Sequence, residues 1–216
     1  MVQKSEDEHR PAPRPRGRPR SFDTEATLAQ ATLTFWQRGY AATSLDDLSA
    51  ATGLNRPSLY GAFGDKHALY LQALRLYTEQ SNAAIAHALA GRPLRDGLLR
   101  VYELALQLYY PADAAARGCL LIGTAATEAP RDEAIRQALD EALRGFTAAF
   151  EARLLRAENE GELPAGSDAA LLGQLASAVL HSMALRARAG EAREALAAFA
   201  AASVEMLLSR PGTGAR

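Results

Sequence analysis

The stretch "TSLDDLSAATGLNRPSLYGAFGDK", from Thr43 to Lys66, decides how the N-terminal part of the chain folds. It contains two apolar-periodic segments of about two turns each, joined at Gly53, which can take the positive φ that a tight turn requires. Helices this short are unstable alone, so we expect them to share a small core with the helix before them. The predicted core residues are Leu45, Leu48, Leu54, Leu59 and Phe63. This arrangement predicts a helix-turn-helix.

The outer face of the second short helix differs from its core face. Arg56, Pro57, Ser58, Tyr60 and Gly61 lie on that face or at its start, and none of them is an obvious core residue. A helix that has small residues and one arginine at its start can enter a DNA major groove, which is roughly 12 Å wide.

Capping residues delimit these helices. Thr43 or Ser44 is predicted to cap the first short helix and Asn55 the second. Lys66 begins the following helix, where backbone N–H groups and a lysine can both contact phosphate.

The rest of the chain also has helical periodicity. Alanine and leucine dominate, β-branched runs are scarce, and no alternating strand pattern occurs. The sequence therefore predicts an all-α protein with about nine helices. Their approximate ranges are 23–39, 43–53, 55–63, 65–91, 94–110, 118–129, 130–160, 168–189 and 191–209.

Composition limits the possible classes of protein. The 216 residues carry a net charge of −1, so affinity for nucleic acid must come from a local excess of charge. One cysteine excludes an internal disulfide. No apolar run approaches the ~18 residues of a membrane span, and no secretory signal is present, so a cytoplasmic location without a membrane partner is expected.

The N-terminal region supplies the local excess of positive charge. Between Arg10 and Lys66 there are eight Lys or Arg residues and five acids. Residues 1–20 are predicted to be a disordered basic arm, because they are polar, rich in proline and without apolar periodicity. Within the arm, "RGRPR" resembles the core of an AT-hook, and Arg16, Arg18 and Arg20 would contact a narrow minor groove. The alternative is a solvated tail that aids solubility.

The segment "TSLDDLSAATGLNRPSLYGAFGDKHALY", with "ATLAQATLTFWQRGYAATS" before it, closely resembles the DNA-binding domain of the TetR/AcrR family of one-component repressors. The resemblance covers about residues 22–70. Ala62 departs from the pattern, because many members have there a histidine or tyrosine that contacts phosphate. We therefore assign no such contact to it.

The resemblance implies roles for individual residues. Thr43, as a helix cap beside Ser44, would contact phosphate, and Tyr60 and Lys66 would hold the DNA backbone. Arg56 and Ser58 would reach base edges, while Pro57 would make an apolar contact. Three alternatives stay open: a half-buried Tyr60, a solvated Lys66, and an Arg56 that binds phosphate instead of a base.

The resemblance also implies the organisation of the chain. A DNA-binding domain at 21–66 would precede a ligand-binding and dimerisation domain at 67–210. The helices near 168–189 and 191–209 would form a homodimer interface, with packing inside one monomer as the alternative. The partners would be double-stranded operator DNA and a small-molecule inducer.

A ligand pocket is expected among the helices between 66 and 160, with one candidate beyond them. Its candidates are Tyr102, Tyr109, Tyr110, Cys119, Phe146, Phe150 and His181. The alternative for each aromatic residue is ordinary packing. Cys119 follows Gly118 and is predicted to lie in the first turn of a helix, where the helix dipole and Arg117 would lower the pKa of its thiol. The alternative for Cys119 is a small apolar filler.

Catalytic motifs are missing from the sequence. It has no nucleophile elbow, no glycine-rich phosphate loop after a strand and no metal-ligand spacing, so we predict no catalytic residue, metal or cofactor, and no enzyme. The predicted function is a ligand-responsive repressor. Two alternatives are a repressor that senses oxidants or electrophiles through Cys119, and an architectural DNA-binding protein that uses the arm.

Overall fold

The computed structural model describes residues 22–112 and 115–209, and within these ranges it contains helices and no strand. This confirms the predicted all-α fold. The basic arm, with Arg16, Arg18 and Arg20, lies outside the described residues. The helices are α1 (Thr24–Arg38), α2 (Leu45–Thr52), α3 (Arg56–Phe63), α4 (Lys66–Leu89), α5 (Leu94–Tyr109), α6 (Ala126–Glu128), α7 (Glu133–Asn159), α8 (Ala169–Arg188) and α9 (Arg193–Leu208).

The first three helices and the start of α4 form the N-terminal unit. Leu48, Leu59 and Phe63 are buried against Phe35 of α1 and Tyr70 of α4, as the short helices require. The Tyr70 and Phe35 rings pack edge to face, with their centroids 4.9 Å apart. The predicted core of the helix-turn-helix is therefore present, with Leu45 and Leu54 only partly buried at its margin.

Helices α4, α5, α7, α8 and α9 form the larger C-terminal bundle. Helices α7 and α8 pack along much of their length, and Gly173 of α8 makes this possible. A Cβ at Gly173 would lie 3.1 Å from the backbone nitrogen of Glu151, so a larger residue would push the two helices apart. The bundle core includes Tyr102, Phe150 and Leu154. The division between domains at residue 66 stays a prediction. Helix α4 begins at Lys66, and Tyr70 in its second turn packs against Phe35 of α1, so the start of α4 belongs to the N-terminal unit.

The segment predicted as one helix over 118–129 differs from the expectation. It is a π-helical turn, Leu121–Ala125, followed by the short α6, and Cys119 precedes it. Gly118, just before this segment, lies close to α8. Its φ is +62°, and an added Cβ would lie 2.3 Å from the carbonyl oxygen of Ala184. Glycine thus permits the close approach of this segment to α8.

Candidate nucleic-acid interface and ligand cavity

The two short helices are joined with well-formed caps. The Ser44 hydroxyl accepts a hydrogen bond from the Asp47 backbone N–H at 3.1 Å, and the Asp47 carboxylate accepts one from the Ser44 N–H at 2.8 Å. Hydrogen bonds from Ser44 are the main reason that the pKa of Asp47 is lowered. Gly53 has a φ of 70°, and Asn55 caps α3 by accepting from Ser58 N–H at 2.9 Å. The caps and the turn fix the direction in which α3 projects.

Most candidate DNA contacts lie together at the exposed start of α3. Arg56, Pro57 and Tyr60 are exposed, and Ser58 is half-buried. Tyr60 keeps 46% of its surface exposed, so its ring is about half buried and still accessible to a partner. We call these side chains, together with the exposed Ser44 at the start of α2, the α3 face.

Thr43 requires a correction. It is 1% exposed, and its hydroxyl donates to the carbonyl of Gly39 at 2.6 Å. The cap of α2 is Ser44 alone, so the predicted role of Thr43 as a cap pointing its hydroxyl at phosphate is wrong for this structure. A threonine and a serine side by side both satisfy the capping pattern, and only the packing of the loop separates them.

Lys66 lies at the first position of α4 and is half-buried. Its ammonium is 4.5 Å from the centroid of the Tyr40 ring, and partial burial lowers its pKa. The ring contact limits the freedom of the side chain. Lys66 is thus held at the edge of the N-terminal unit instead of extending freely into solvent.

Arg56 has a partner that the sequence did not indicate. Its guanidinium donates from Nε and Nη2 to the carboxylate of Asp46, at distances between 2.8 and 3.2 Å. Asp46 is in the first turn of α2, so the pair bridges the N-terminal turns of the two short helices. Ten residues separate Asp46 from Arg56, and no sequence pattern marks the pair.

A cavity of about 70 Å³ lies between α4, α5, α7 and α8. By the same measure a water molecule needs roughly 10–15 Å³, so the cavity has room for several waters or a small molecule. Most of its wall is apolar. The lining residues are Tyr77, Ser81, Ala84, Ile85, Val101, Leu104, Ala105, Leu108, Tyr109, Cys119, Phe146, Leu180 and His181.

The structure brings four of the seven predicted ligand residues to this cavity: Tyr109, Cys119, Phe146 and His181. Three do not line it. Tyr102 is buried and donates its hydroxyl to the carbonyl of Ala176 at 3.0 Å, and Phe150 stacks beside it in the core.

Tyr110 is the third of these residues, and it donates its hydroxyl to the carbonyl of Glu191. The sequence predicted that α4 borders the pocket, but it did not indicate which α4 residues line it, among them Tyr77, Ser81 and Ile85. Apolar periodicity shows which residues of a helix are buried but not whether they face a void.

The predicted low pKa of Cys119 is wrong. Burial raises the pKa of the thiol, although the Tyr77 hydroxyl and the backbone N–H groups of Ile122 and Leu121 act in the opposite direction. Tyr77 donates to the sulfur at 3.2 Å. The Arg117 guanidinium lies over the Trp36 ring, 4.0 Å from its centroid. The thiol is therefore neutral near pH 7, because loss of solvation outweighs the helix N-terminus.

His181 is the most polar side chain in the cavity wall. Burial lowers the pKa of its imidazole, so the ring is neutral near pH 7. Its Nε2 atom is buried and has no hydrogen-bond partner within the described ranges 22–112 and 115–209. A buried polar atom without a partner is costly, and this one belongs to a residue that lines the cavity.

Side-chain hydrogen bonds connect the cavity wall to the N-terminal unit. Trp36 of α1 donates from Nε1 to the carbonyl of Gly118, 3.1 Å away, and both residues are buried. The Tyr70 hydroxyl is 2.6 Å from the Thr124 hydroxyl in the π-helical turn. Gly118 adjoins Cys119, so the hydrogen bond from Trp36 ends one residue from the cavity wall.

The outer surface of α8 and α9 is apolar. Leu171, Leu175 and Leu185 are each about half exposed, and Met206 is 77% exposed. A groove between the two helices is lined by further apolar and small residues, among them Phe199 and Val179. Monomeric proteins seldom expose such a continuous apolar surface.

The described residues contain neither a membrane-spanning helix nor a metal-binding cluster. Within residues 22–112 and 115–209, no helix is long and apolar enough to cross a membrane. The same described part of the chain has no group of three or more His, Cys, Asp and Glu side chains placed to hold a metal ion.

A helix-turn-helix unit with an exposed recognition face, joined to a helical bundle around a cavity, defines a class of DNA-binding transcriptional regulator. Comparisons with known proteins agree. Residues 28–73 match the model of the tetR family of bacterial regulatory proteins, and residues 96–203 match the tetracyclin repressor-like C-terminal domain.

Individual relatives extend over most of the chain. The Escherichia coli repressor ComR is 29% identical over 192 residues, covering 88% of this chain and 91% of its own. The uncharacterised Bacillus subtilis regulator YezE is 32% identical over 68% of this chain and 76% of its own. A cysteine mutant of the TetR family regulator CifR, solved with 26-base-pair operator DNA, has a TM-score of 0.80 at 32% identity. That comparison covers 87% of this chain and 98% of CifR. The chain belongs to the TetR family of transcriptional regulators.

Proposed function

We propose that the protein is a repressor that binds palindromic operator DNA as a homodimer and is released when a small molecule occupies the cavity. The observation that carries the proposal is the hydrogen bond from Trp36 to Gly118, which joins the DNA-binding unit to the cavity wall. Two relatives support the proposal, since ComR is named a repressor and a CifR mutant was solved with operator DNA.

The α3 face is the proposed DNA-binding surface. Arg56, Ser58 and Pro57 would enter the major groove, while Ser44, Tyr60 and Lys66 would contact the backbone. The support is that none of the six is buried and that they lie in or beside the N-terminal turns of α2, α3 and α4. The basic arm at 1–20 would add minor-groove contacts through Arg16, Arg18 and Arg20.

The exposed surface of α8 and α9 is the proposed dimer interface. A two-fold partner would cover the same surface on both chains. Dimerisation would bury Leu175 and Met206 against apolar side chains of the partner. Such burial stabilises the dimer by roughly 25 cal/mol per Å² of apolar surface. Small residues such as Ala178 and Ser182, which line the groove, would let the partner's helices approach closely.

Release requires two states of the N-terminal unit with different affinities for DNA. A ligand that pushes on the α4 and α5 walls would shift the segment from Gly118 to Ala125, and Trp36 would carry the shift to α1. A ligand changes the equilibrium only by as much as it prefers one state. An uncharged ligand suits the cavity, because no charged side chain is part of its lining.

Selection of bound fragments from random double-stranded DNA tests the DNA-binding part. We expect one palindromic sequence to be enriched. The variant Tyr60→Ala should enrich the same sequence less strongly, because it loses a backbone contact and keeps the groups that face the bases. Enrichment of no sequence by the wild-type protein would contradict the proposal.

A second candidate is release through the thiol of Cys119, favoured by the position of Cys119 in the cavity wall. Its burial and raised pKa argue for slow reaction, so a non-covalent ligand is the primary proposal. The alkylation rate near pH 7 separates the two candidates. A rate above that of a free model thiol, with DNA release lost in Cys119→Ser, would establish thiol sensing. A slower rate, with release unchanged in that variant, would leave the non-covalent ligand.

A further inference from the structure

Asp46 uses only one edge of the Arg56 guanidinium. A guanidinium has a side edge, formed by Nε and one terminal nitrogen, and an end edge, formed by the two terminal nitrogens. Asp46 accepts from Nε at 3.2 Å through Oδ1, and from Nη2 at 2.8 Å through both Oδ1 and Oδ2, so the carboxylate lies against the side edge. Nη1 donates no hydrogen bond to Asp46, and the carboxylate shares the side-edge hydrogen of Nη2, so one N–H of each terminal nitrogen points along the end edge, away from the carboxylate.

The end edge has the geometry that recognises guanine. Arginine binds the O6 and N7 acceptors of guanine with two parallel N–H groups, and this is the commonest specific contact in the major groove. Arg56 is at the first position of α3, where a recognition helix usually contacts base edges. Its side chain is 55% exposed and that of Asp46 is 77% exposed, so neither is enclosed by the protein core.

The carboxylate has a second effect, through its charge. Asp46 lies beside Arg56 on the α3 face, where DNA phosphates would also approach. Its negative charge repels phosphate and partly neutralises Arg56, so the pair gains little from a backbone contact alone. A guanine base supplies neutral acceptors and avoids this penalty.

We infer that Asp46 is a specificity-determining positioning residue, which holds the end edge of Arg56 toward a guanine in each operator half-site. The inference rests on the proposed binding of DNA by the α3 face. It also decides between the two roles that the sequence left open for Arg56, in favour of reading a base.

The test is selection from random double-stranded DNA with the full-length protein and three variants. Asp46→Asn keeps the shape of Asp46 and removes its charge. Arg56→Ala removes the guanidinium that would contact the guanine. The matched control is Glu25→Gln, which removes an acid from the first turn of α1. Binding to the selected site, and to the same site with the guanine replaced, is then measured at several salt concentrations.

We expect the wild type to prefer guanine at one position of each half-site, and Arg56→Ala to lose the preference. Asp46→Asn should reduce the preference roughly tenfold, within the 1–3 kcal/mol that one bidentate contact contributes. The same variant should bind unrelated DNA more tightly and with a steeper salt dependence, because the free arginine then binds phosphate. Glu25→Gln should keep the guanine preference.

Two results would overturn the inference while leaving the proposed function intact. One is a selected palindrome whose base preference is unchanged in Asp46→Asn. The other is a palindrome in which Arg56→Ala weakens binding to all sequences equally, which would make Arg56 a phosphate contact. Failure of the wild type to select any site would instead overturn the proposed function, and this inference with it.

Discussion

Replacement of Trp36 by phenylalanine should separate the cavity from the DNA-binding unit. Phenylalanine keeps an aromatic ring against Tyr77, whose ring centroid lies 4.9 Å away, but cannot donate to the Gly118 carbonyl. A buried acceptor left without a donor costs about 1–3 kcal/mol. For a domain of this size, a loss near 2 kcal/mol lowers Tm by about 4–8 °C.

The matched control is Tyr102→Phe. It also removes one buried donor to a carbonyl, at 3.0 Å instead of 3.1 Å, but the bond joins α5 to Ala176 of α8 within the bundle. Both variants should lose similar stability. Only Trp36→Phe should change communication with the DNA-binding unit.

The coupling between the cavity and DNA binding is measured with a substitution that fills the cavity. Ala105 lines the cavity, so Ala105→Phe would act as a permanent occupant and weaken binding to the selected operator. Coupling between sites is typically about 1–3 kcal/mol, or roughly 5–150-fold in affinity. In Trp36→Phe the weakening by Ala105→Phe should largely disappear, and in Tyr102→Phe it should persist. An equal effect of Ala105→Phe in all three backgrounds would refute the role of the Trp36 hydrogen bond.

Three further predictions concern single side chains. Lys66→Ala should weaken binding to all DNA sequences and reduce the slope of log affinity against log salt by about one, as titrations at several salt concentrations would show. Ser44→Ala should cost about 0.5–2 kcal/mol in thermal unfolding, because it removes the cap of α2, whereas Thr24→Ala on the exposed start of α1 should cost less. His181 has a lowered pKa when folded, so the unfolded state binds its proton more readily and stability should fall as pH drops below about 6.5. In His181→Leu this part of the pH dependence should vanish, while substitution of the exposed His87 by glutamine should leave it; an unchanged pH profile in His181→Leu would contradict the assignment.

Much of the fold is predictable from the sequence because its signals are local. Ser44, Asn55 and the glycine at 53 mark the ends of α2 and α3, and the structure has those ends within a residue or two. The long helices follow from apolar periodicity in the same way. The π-helical turn from Leu121 to Ala125 was not predictable, since no local residue pattern marks it.

The candidate site was predictable only in part, for the same reason. The apolar residues of α3 show which side of the helix packs into the core, so the residues on its opposite side are predicted to be exposed. The Asp46–Arg56 pair, the cavity wall on α4 and the raised pKa of Cys119 depend on contacts between distant segments. The helix N-terminus near Cys119 is visible in the sequence, but the burial that outweighs it is not.

The mass of the complex between the protein and its selected DNA tests the central claim most directly. The account predicts two chains on one palindrome, with half-site centres separated by roughly 34–36 Å or somewhat more, because each α3 covers only a few base pairs. Light scattering of the full-length protein on that DNA measures this stoichiometry, and Leu175→Glu on the α8 surface should reduce it to one weakly bound chain. A stable single wild-type chain on an asymmetric site would contradict the account.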